Sequence, residues 1–406
     1  MSTWPRVPAG SDFPIENLPF GIVRPPGERA RVAVRIGDDA VDLAAAGIEI
    51  GLTDQPTLNE LMASGRSREI RDRVGELLNG PERPELLHAV ADVDVVLPIA
   101  VGDYVDFYSS LHHATNLGRI MRPDAEPLLP NWRQLPVGYH GRSGTVVVSG
   151  TAIDRPEGLV PDEPGGRARL VPTRSLDFEL EVGFLVGGPT ATRIDPDQAD
   201  SHIFGVVLLN DWSARDIQGF EYQPLGPNLA KSFATSISPW VVTLDALRPH
   251  LVAAPAQDPQ PDPYLRTTRP WAIDLNLTVD LNRTRITATN FDEMYWTFAQ
   301  QLAHTTVNGA TTRAGDLFGS GTVSGPTAGE RGSMIELTWR GAEPLTLDDG
   351  STRSFLLDGD TVTMRGWCGG TGSPRIGFGE VTGTVRGSDR DSAERRVEPQ
   401  RAEGSR

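Results

Sequence analysis

The chain has 406 residues, 38% of them apolar, and 38 lysines and arginines against 54 aspartates and glutamates leave a formal charge of −16, which argues against nucleic acid or an anionic membrane as principal partner. No apolar run approaches the ~18 residues of a membrane span. A single cysteine, Cys368, excludes a multi-cysteine zinc or iron–sulfur site, and the seven histidines fall outside zinc-protease spacing, so a bound metal is expected to be held mainly by oxygen.

The opening Met1-Ser-Thr-Trp-Pro5 has neither the basic start nor the apolar stretch of a signal peptide, and with one cysteine it predicts a cytoplasmic, disulfide-free protein. Residues 1–97 read as a small α+β unit with strand signals at 30–36 and 40–43. Two helical patterns follow, one opening on a capping box at Thr57-Leu-Asn-Glu60, the other running from Ser67 to Asn79 and stopping at Gly80-Pro81. From 98 to 386, short β-rich runs punctuated by glycine and proline dominate, at 144–149, 203–209, 240–243, 271–281 and 333–339, and predict a larger, mostly β second domain. Residues 252–270, proline-rich around Asp258, Gln260 and Asp262, read as a long loop. Residues 387–406 mix both charges with almost nothing apolar and read as a disordered polar tail.

The segment from Asp103 to Asn116 concentrates acids, phenols, hydroxyls and two imidazoles. If it is helical from Tyr108 onward, His112 and His113 point about 100° apart, so only one can face a given site. The run Ser175-Leu-Asp-Phe-Glu-Leu-Glu-Val-Gly-Phe-Leu-Val186 alternates, sending Phe178, Leu180, Val182 and Phe184 to one face and Asp177, Glu179 and Glu181 to the other. Carboxylates two residues apart on a strand lie roughly 6.6 Å apart and repel by on the order of 2 kcal/mol at an effective dielectric of about 20. Either water on a solvated face or a cation must relieve that.

The apolar strand at 203–209 ends in Asn210-Asp-Trp-Ser213, where Ser213 and Asp216 read as the start of a short capped helix that sets Arg215, Gln218 and Tyr222 on one face. This suits a metal or anion site, or simply a capped helix. Lys231 and Thr235 add a lysine and a hydroxyl four residues apart; alone, Lys231 would be a surface charge. The loop Gly319-Ser-Gly-Thr-Val-Ser-Gly-Pro326 can present backbone amides but lacks the lysine ending of a nucleotide-binding loop. Glu336 interrupts the β-like run Ser333-Met-Ile-Glu-Leu-Thr-Trp339 and by itself is an ordinary strand acid.

The order and wording of these segments resemble the fumarylacetoacetase family, enzymes that hydrolyse a carbon–carbon bond in the last step of tyrosine breakdown. The likeness runs from Ser11-Asp-Phe-Pro-Ile-Glu-Asn-Leu-Pro-Phe20 through Leu135-Pro-Val-Gly-Tyr-His-Gly-Arg142 and Asn210-Asp-Trp-Ser-Ala-Arg-Asp-Ile-Gln218 to Phe355-Leu-Leu-Asp-Gly-Asp360 and Arg375-Ile-Gly-Phe-Gly379. Only the polar tail lies outside it. The resemblance implies a mainly β fold, with a small SH3-like N-terminal domain and a mixed β-sandwich roll as catalytic domain, working as a homodimer. It implies a divalent cation, Ca²⁺ or Mg²⁺, on Asp106, Glu179, Glu181 and Asp211, with Lys231 and Arg215 beside it and Thr235 at a position linked to the cation or its water shell. It implies His113, rather than His112, as general base, oriented by Glu336. Arg215, Gln218 and Lys231 would then stabilise developing negative charge, while Tyr108, Arg122, Tyr139, Tyr222 and Thr322 would contact the substrate, fumarylacetoacetate.

The same acidic site would also serve an acylpyruvate hydrolase, a hydratase or decarboxylase of related keto acids, or a non-catalytic metal-binding relative. The N-terminal domain and the set Tyr139, Arg122 and Tyr222 favour fumarylacetoacetate. His113, Glu336 and Lys231 together argue against a non-catalytic protein.

Overall fold

The computed structural model describes residues 4–5, 7–163 and 165–388; beyond residue 388, the expected tail lies outside the described residues. Strands Phe20–Arg24, Arg31–Ile36 and Asp39–Asp42 run antiparallel, and with Leu87–Ala89 and Asp94–Val96 they form a five-stranded sheet near the N-terminus. The helix Ser67–Leu78 buries Ile70, Val74 and Leu78, a spacing of four that makes one apolar stripe. The helix Asn59–Ser64 is capped by buried Leu58 with no side-chain hydrogen bond, so the capping box expected at Thr57 and Glu60 does not form. Burial of Leu58, Leu61 and Met62 sets where that helix starts.

A mixed sheet forms the centre of the molecule. Its strands lie in the order Gly138–His140, Tyr104–Phe107, Leu317–Gly319, Leu180–Val186, Ile203–Asp211, Thr235–Ile237 and Val146–Val148, with Val242–Thr243 pairing off this path. One face of it carries Val182, Phe184, Val206 and Leu208. These share a core with Leu277, Val279, Val362, Met364, Phe378 and Val381, from a second sheet built on Asn276–Leu281, Thr361–Cys368 and Ile376–Arg386. Two sheets closing on one apolar layer make a sandwich. The other face carries Leu185, Val207 and Leu209, which share a core with Phe20, Ile22, Val34 and Leu61 of the N-terminal sheet and helix. The architecture is mainly β, as expected.

Several local expectations give way to tertiary packing. The run 175–186, expected as one strand, is two, Leu176–Asp177 paired with Ser213–Ala214 in a small sheet of its own and Leu180–Val186 in the central sheet. The side chains of Asp177, Glu179 and Glu181 are buried, not solvated, because other elements cover them. The β-like run from Ser333 is instead the short helix Met334–Leu337, so Glu336 sits on a helical turn. Ser213 belongs to the strand Ser213–Ala214, and the helix Arg215–Glu221 is capped by Ala214 without a side-chain bond. The run 271–281 splits into Trp271–Ile273 and Asn276–Leu281. The loop expected at 252–270 carries a strand, Leu251–Ala253, that pairs with Trp271–Ile273, and a short 3₁₀ turn at Pro263–Leu265. Among the described residues, no helix is long and apolar enough to cross a membrane.

Candidate active site

Residues directly opposite each other in a ladder share a face, as do residues two apart along a strand. Glu181 pairs with Leu209, two before Asp211, and Gly183 pairs with Gly319. Gly319 in turn pairs with Asp106, Asp106 with Tyr139, and Asp211 with Thr235. Five strands therefore deliver Asp106, Glu181, Asp211, Tyr139 and Thr235 to one face of one sheet. Asp106, Glu181 and Asp211 each place a carboxylate oxygen within 4.8 Å of the others. Glu179 is not in that trio. It lies beside it, its oxygens taken by Arg215 Nη2 at 2.6 Å and by Lys231 Nζ, which also donates to Asp211.

The charges here do not balance within the protein. Around the trio, Asp106, Asp177, Glu179, Glu181 and Asp211 are buried, and among the described residues Arg215 and Lys231 are the buried arginine and lysine, five minus two leaving a formal excess of three negative charges. Burial, then Asp211, pushes Asp106 well above the usual carboxylate range, and burial, then Asp106 and Asp211, does the same to Glu181. Burial also works against charge on Glu179, yet Lys231, Arg215 and His113 outweigh it and hold that carboxylate well below its ordinary value.

A divalent cation fits the trio on three counts. Asp106 Oδ1 and Glu181 Oε1 are buried without a hydrogen-bond partner; a dication lowers the repulsion that raises their pKa; and all the donors are hard oxygens, as Ca²⁺ and Mg²⁺ require. Gly319 leaves the room: a Cβ there would stand 2.7 Å from Asp106 Oδ1 and 3.0 Å from Glu181 Oε2. The glycine-rich loop after it gives its Gly321 N–H to Glu181 Oε2 at 3.0 Å, so that amide serves the acidic site and not an external anion. Tyr139 O–H reaches Asp211 at 3.3 Å, and Thr235 Oγ1 only at 3.5 Å.

The helix Leu111–Met121 is capped by Ser110, whose hydroxyl accepts the His113 N–H at 3.2 Å. This turns His113 inward, while His112 lies at the half-exposed surface 3.7 Å from Glu293. His113 Nδ1 is 2.6 Å from Glu336 Oε2. Asn116 Nδ2 donates to Glu336 Oε1 at 2.9 Å, and the Ser324 and Ser333 hydroxyls donate to Oε2 at 3.0 and 2.7 Å. Burial alone would raise the Glu336 pKa, but His113 and these donors outweigh it and hold the carboxyl below its usual range. An ionised Glu336 fixes the Nδ1–H tautomer and leaves Nε2 to accept a proton.

A cavity of about 400 Å³ brings the rest together. It is lined by Asp106, Tyr108, His113, Arg122, Tyr139, Glu179, Arg215, Gln218, Tyr222, Lys231 and Thr322, with apolar Leu117, Met121 and Ile335. Glu181, Asp211, Thr235 and Glu336 stand behind that lining. A larger cavity of about 630 Å³, lined by Arg71, Asp245 and His250 among others, contains none of these residues. Burial raises the Tyr108 and Tyr139 phenols above their ordinary value, so both are hydrogen-bond donors in the neutral form. Arg215 Nη1 donates to the Gln218 carbonyl at 3.1 Å, which leaves the Gln218 NH₂ free to donate toward the cavity.

Residues 104–386 match the family model described as fumarylacetoacetate (FAA) hydrolase C-terminal, and residues 16–98 match the fumarylacetoacetase N-terminal model. The chain belongs to the fumarylacetoacetase family. It is 47% identical to the fumarylacetoacetase of Caenorhabditis elegans, over 96% of this chain and 100% of that one, and 45% identical to that of Homo sapiens, over 92% and 96%. A solved fumarylacetoacetate hydrolase from Exiguobacterium antarcticum shares the fold at a TM-score of 0.56 and 17% identity, covering 91% of this chain and 99% of that one.

Within this member of the fumarylacetoacetase family, sequence reasoning missed the residues that hold Glu336. Asn116 had a signal, since three residues after His113 on a helix it falls on the same face. Ser333 had one as well, since it stands three residues before Glu336 in the Ser-x-x-Glu spacing of a helix start, whereas Ser324 had none, because it lies in irregular chain whose course only the packed structure defines.

Proposed function

We propose that this site hydrolyses 4-fumarylacetoacetate to fumarate and acetoacetate. The observation that carries the reading is the convergence on one cavity of a buried histidine–carboxylate couple, an over-acidic oxygen cluster and the two cations Arg215 and Lys231. The whole-length similarity to fumarylacetoacetases supports the same substrate.

His113 Nε2 takes a proton from the water that attacks the carbonyl next to the fumaroyl half, while Glu336 steadies the imidazolium that results. The attacked oxygen becomes negative and is met by donors from Arg215, Gln218 and Lys231, already oriented by their own partners. The carbon–carbon bond then breaks, its electron pair leaving with acetoacetate as the enolate, and the proton held on the His113 imidazolium returns to the enolate carbon, which frees the base. Neutral Tyr108 and Tyr139, with Tyr222, Arg122 and Thr322, bind the carboxylate and keto ends of the substrate. A divalent cation held by Asp106, Glu181 and Asp211, with Glu179 beside them, would hold electrons on the β-diketone oxygens, which a carbon leaving group needs.

The hard-oxygen set favours Mg²⁺ or Ca²⁺ as that cation, with Lys231 and Thr235 bordering it. The reading extends to a catalytic unit over residues 98–386 behind an N-terminal unit over 1–97, to a homodimer, and to a cytoplasmic setting, which the single buried cysteine supports. The deciding experiment is an absorbance assay on fumarylacetoacetate with products identified, run beside acetylpyruvate. Faster turnover of acetylpyruvate would replace this reading with that of an acylpyruvate hydrolase.

A further inference from the structure

Asp177 is fully buried and takes no part in the reaction as derived above. Its two oxygens receive three donors from two different parts of the site. The Met334 N–H reaches Oδ1 at 2.6 Å; the Ile335 N–H and Arg215 Nε reach Oδ2 at 3.1 and 2.7 Å. Met334 and Ile335 open the turn that carries Glu336. Arg215 follows the strand Ser213–Ala214, which pairs directly with Leu176–Asp177, and its own N–H donates to Ser175 O at 2.9 Å. One short side chain thus joins segments 38 and 157 residues away from it.

Charge balance alone does not require Asp177, because Arg215 already has Glu179 at 2.6 Å. Nor would the turn ordinarily need it, since a serine at the capping position can accept such amides itself. Here Ser333, at that position, makes no capping bond and donates to Glu336 instead. Asp177 accepts the amides in its place, which frees the Ser333 hydroxyl for the Glu336 carboxylate.

We propose that Asp177 is a positioning residue that holds the Glu336–His113 couple and the Arg215 guanidinium at a set separation, so that proton acceptor and oxyanion donor meet the same carbonyl. The proposal rests on the reaction assigned above. An aspartate has few rotatable bonds, and with three donors on it neither segment can shift without breaking a buried hydrogen bond. A displacement of about 1 Å between such groups costs on the order of 100-fold in rate.

The test is Asp177→Asn, which keeps the shape but turns an NH₂ toward at least one of the three donors. With folding by circular dichroism and bound cation unchanged, kcat should fall about 10- to 100-fold and KM stay within about threefold, the pattern of lost transition-state alignment. The low-field proton between His113 and Glu336, identified by its disappearance in His113→Ala, should shift or broaden, although Asp177 touches neither residue. If the neutral variant does not fold, Asp177→Glu gives the same readings, because it keeps charge beside Arg215 but carries its oxygens past the two amides. A kcat within threefold of the parent with an unmoved proton overturns the role of Asp177. Full turnover in His113→Ala, measured in parallel, would instead overturn the reaction on which it rests.

Discussion

His113 Nδ1 and Glu336 Oε2 lie 2.6 Å apart although the two residues are 223 positions apart in the chain, and both side chains are buried. One residue comes from the helix after the Tyr104–Phe107 strand and the other from a four-residue turn far along the C-terminal family match of residues 104–386. No local signal links them.

If they act as one unit, their losses are not additive. His113→Ala should lose about 100-fold or more in turnover, as expected for a general base, whereas His112→Ala, whose ring lies at the surface by Glu293, should change little. Glu336→Gln should lower turnover strongly in the parent and hardly at all in the His113→Ala background, with cation content constant. A double variant whose loss equals the product of the single losses means two independent residues.

Removal of the cation should destabilise the fold as well as stop turnover. A ligand that binds only the native state contributes about 2.7 kcal/mol at 100-fold excess over its Kd, so treatment with EDTA should lower Tm, and Mg²⁺ or Ca²⁺ should restore it together with activity. Glu181→Gln should abolish that shift while the fold persists. A Glu181→Gln protein with the parent's cation content would take Glu181 out of the site.

Gly319→Ala tests the same site without altering a charge. The added methyl stands 2.7 Å from Asp106 Oδ1 and 3.0 Å from Glu181 Oε2, closer than the ~3.5 Å of relaxed contact. Cation affinity measured by calorimetry should fall at least about tenfold. Parent-like affinity would show that the trio does not hold the ion at that point.

A pH-dependent effect belongs to Asp360, whose carboxylate accepts from Arg353, Asn282 and the Leu357 N–H. Burial pushes its pKa up, but these donors outweigh burial and leave it below the usual carboxylate range. Its contribution is therefore present above the unfolded-state pKa and lost as pH falls through the lower native value. Asp360→Asn should cost about 1–3 kcal/mol at pH 7, and the Tm gap to the parent should narrow below pH ~4. A gap that widens on acidification would reverse the assignment.

The apolar–acidic alternation along 175–186, though not its break into the strands Leu176–Asp177 and Leu180–Val186, and the short-range spacing of Arg215, Gln218 and Tyr222 were readable in the sequence because strand and helix periodicities are local. The angular argument showed that only one of His112 and His113 can face a given site; the resemblance, not the angle, named His113. Local chemistry could not show that the acidic face is buried, since both faces of an alternating strand look alike until something packs on the second. Nor could it show that Glu336 rides a helical turn, because four residues carry too little pattern to separate helix from strand. The resemblance named the acids of the cation site together, but only sheet register separates Asp106, Glu181 and Asp211 from Glu179, whose oxygens go to Arg215 and Lys231. Asp177 marks the limit most clearly: its strand face was visible in the sequence, while its three donors come from segments that only the folded chain brings to it.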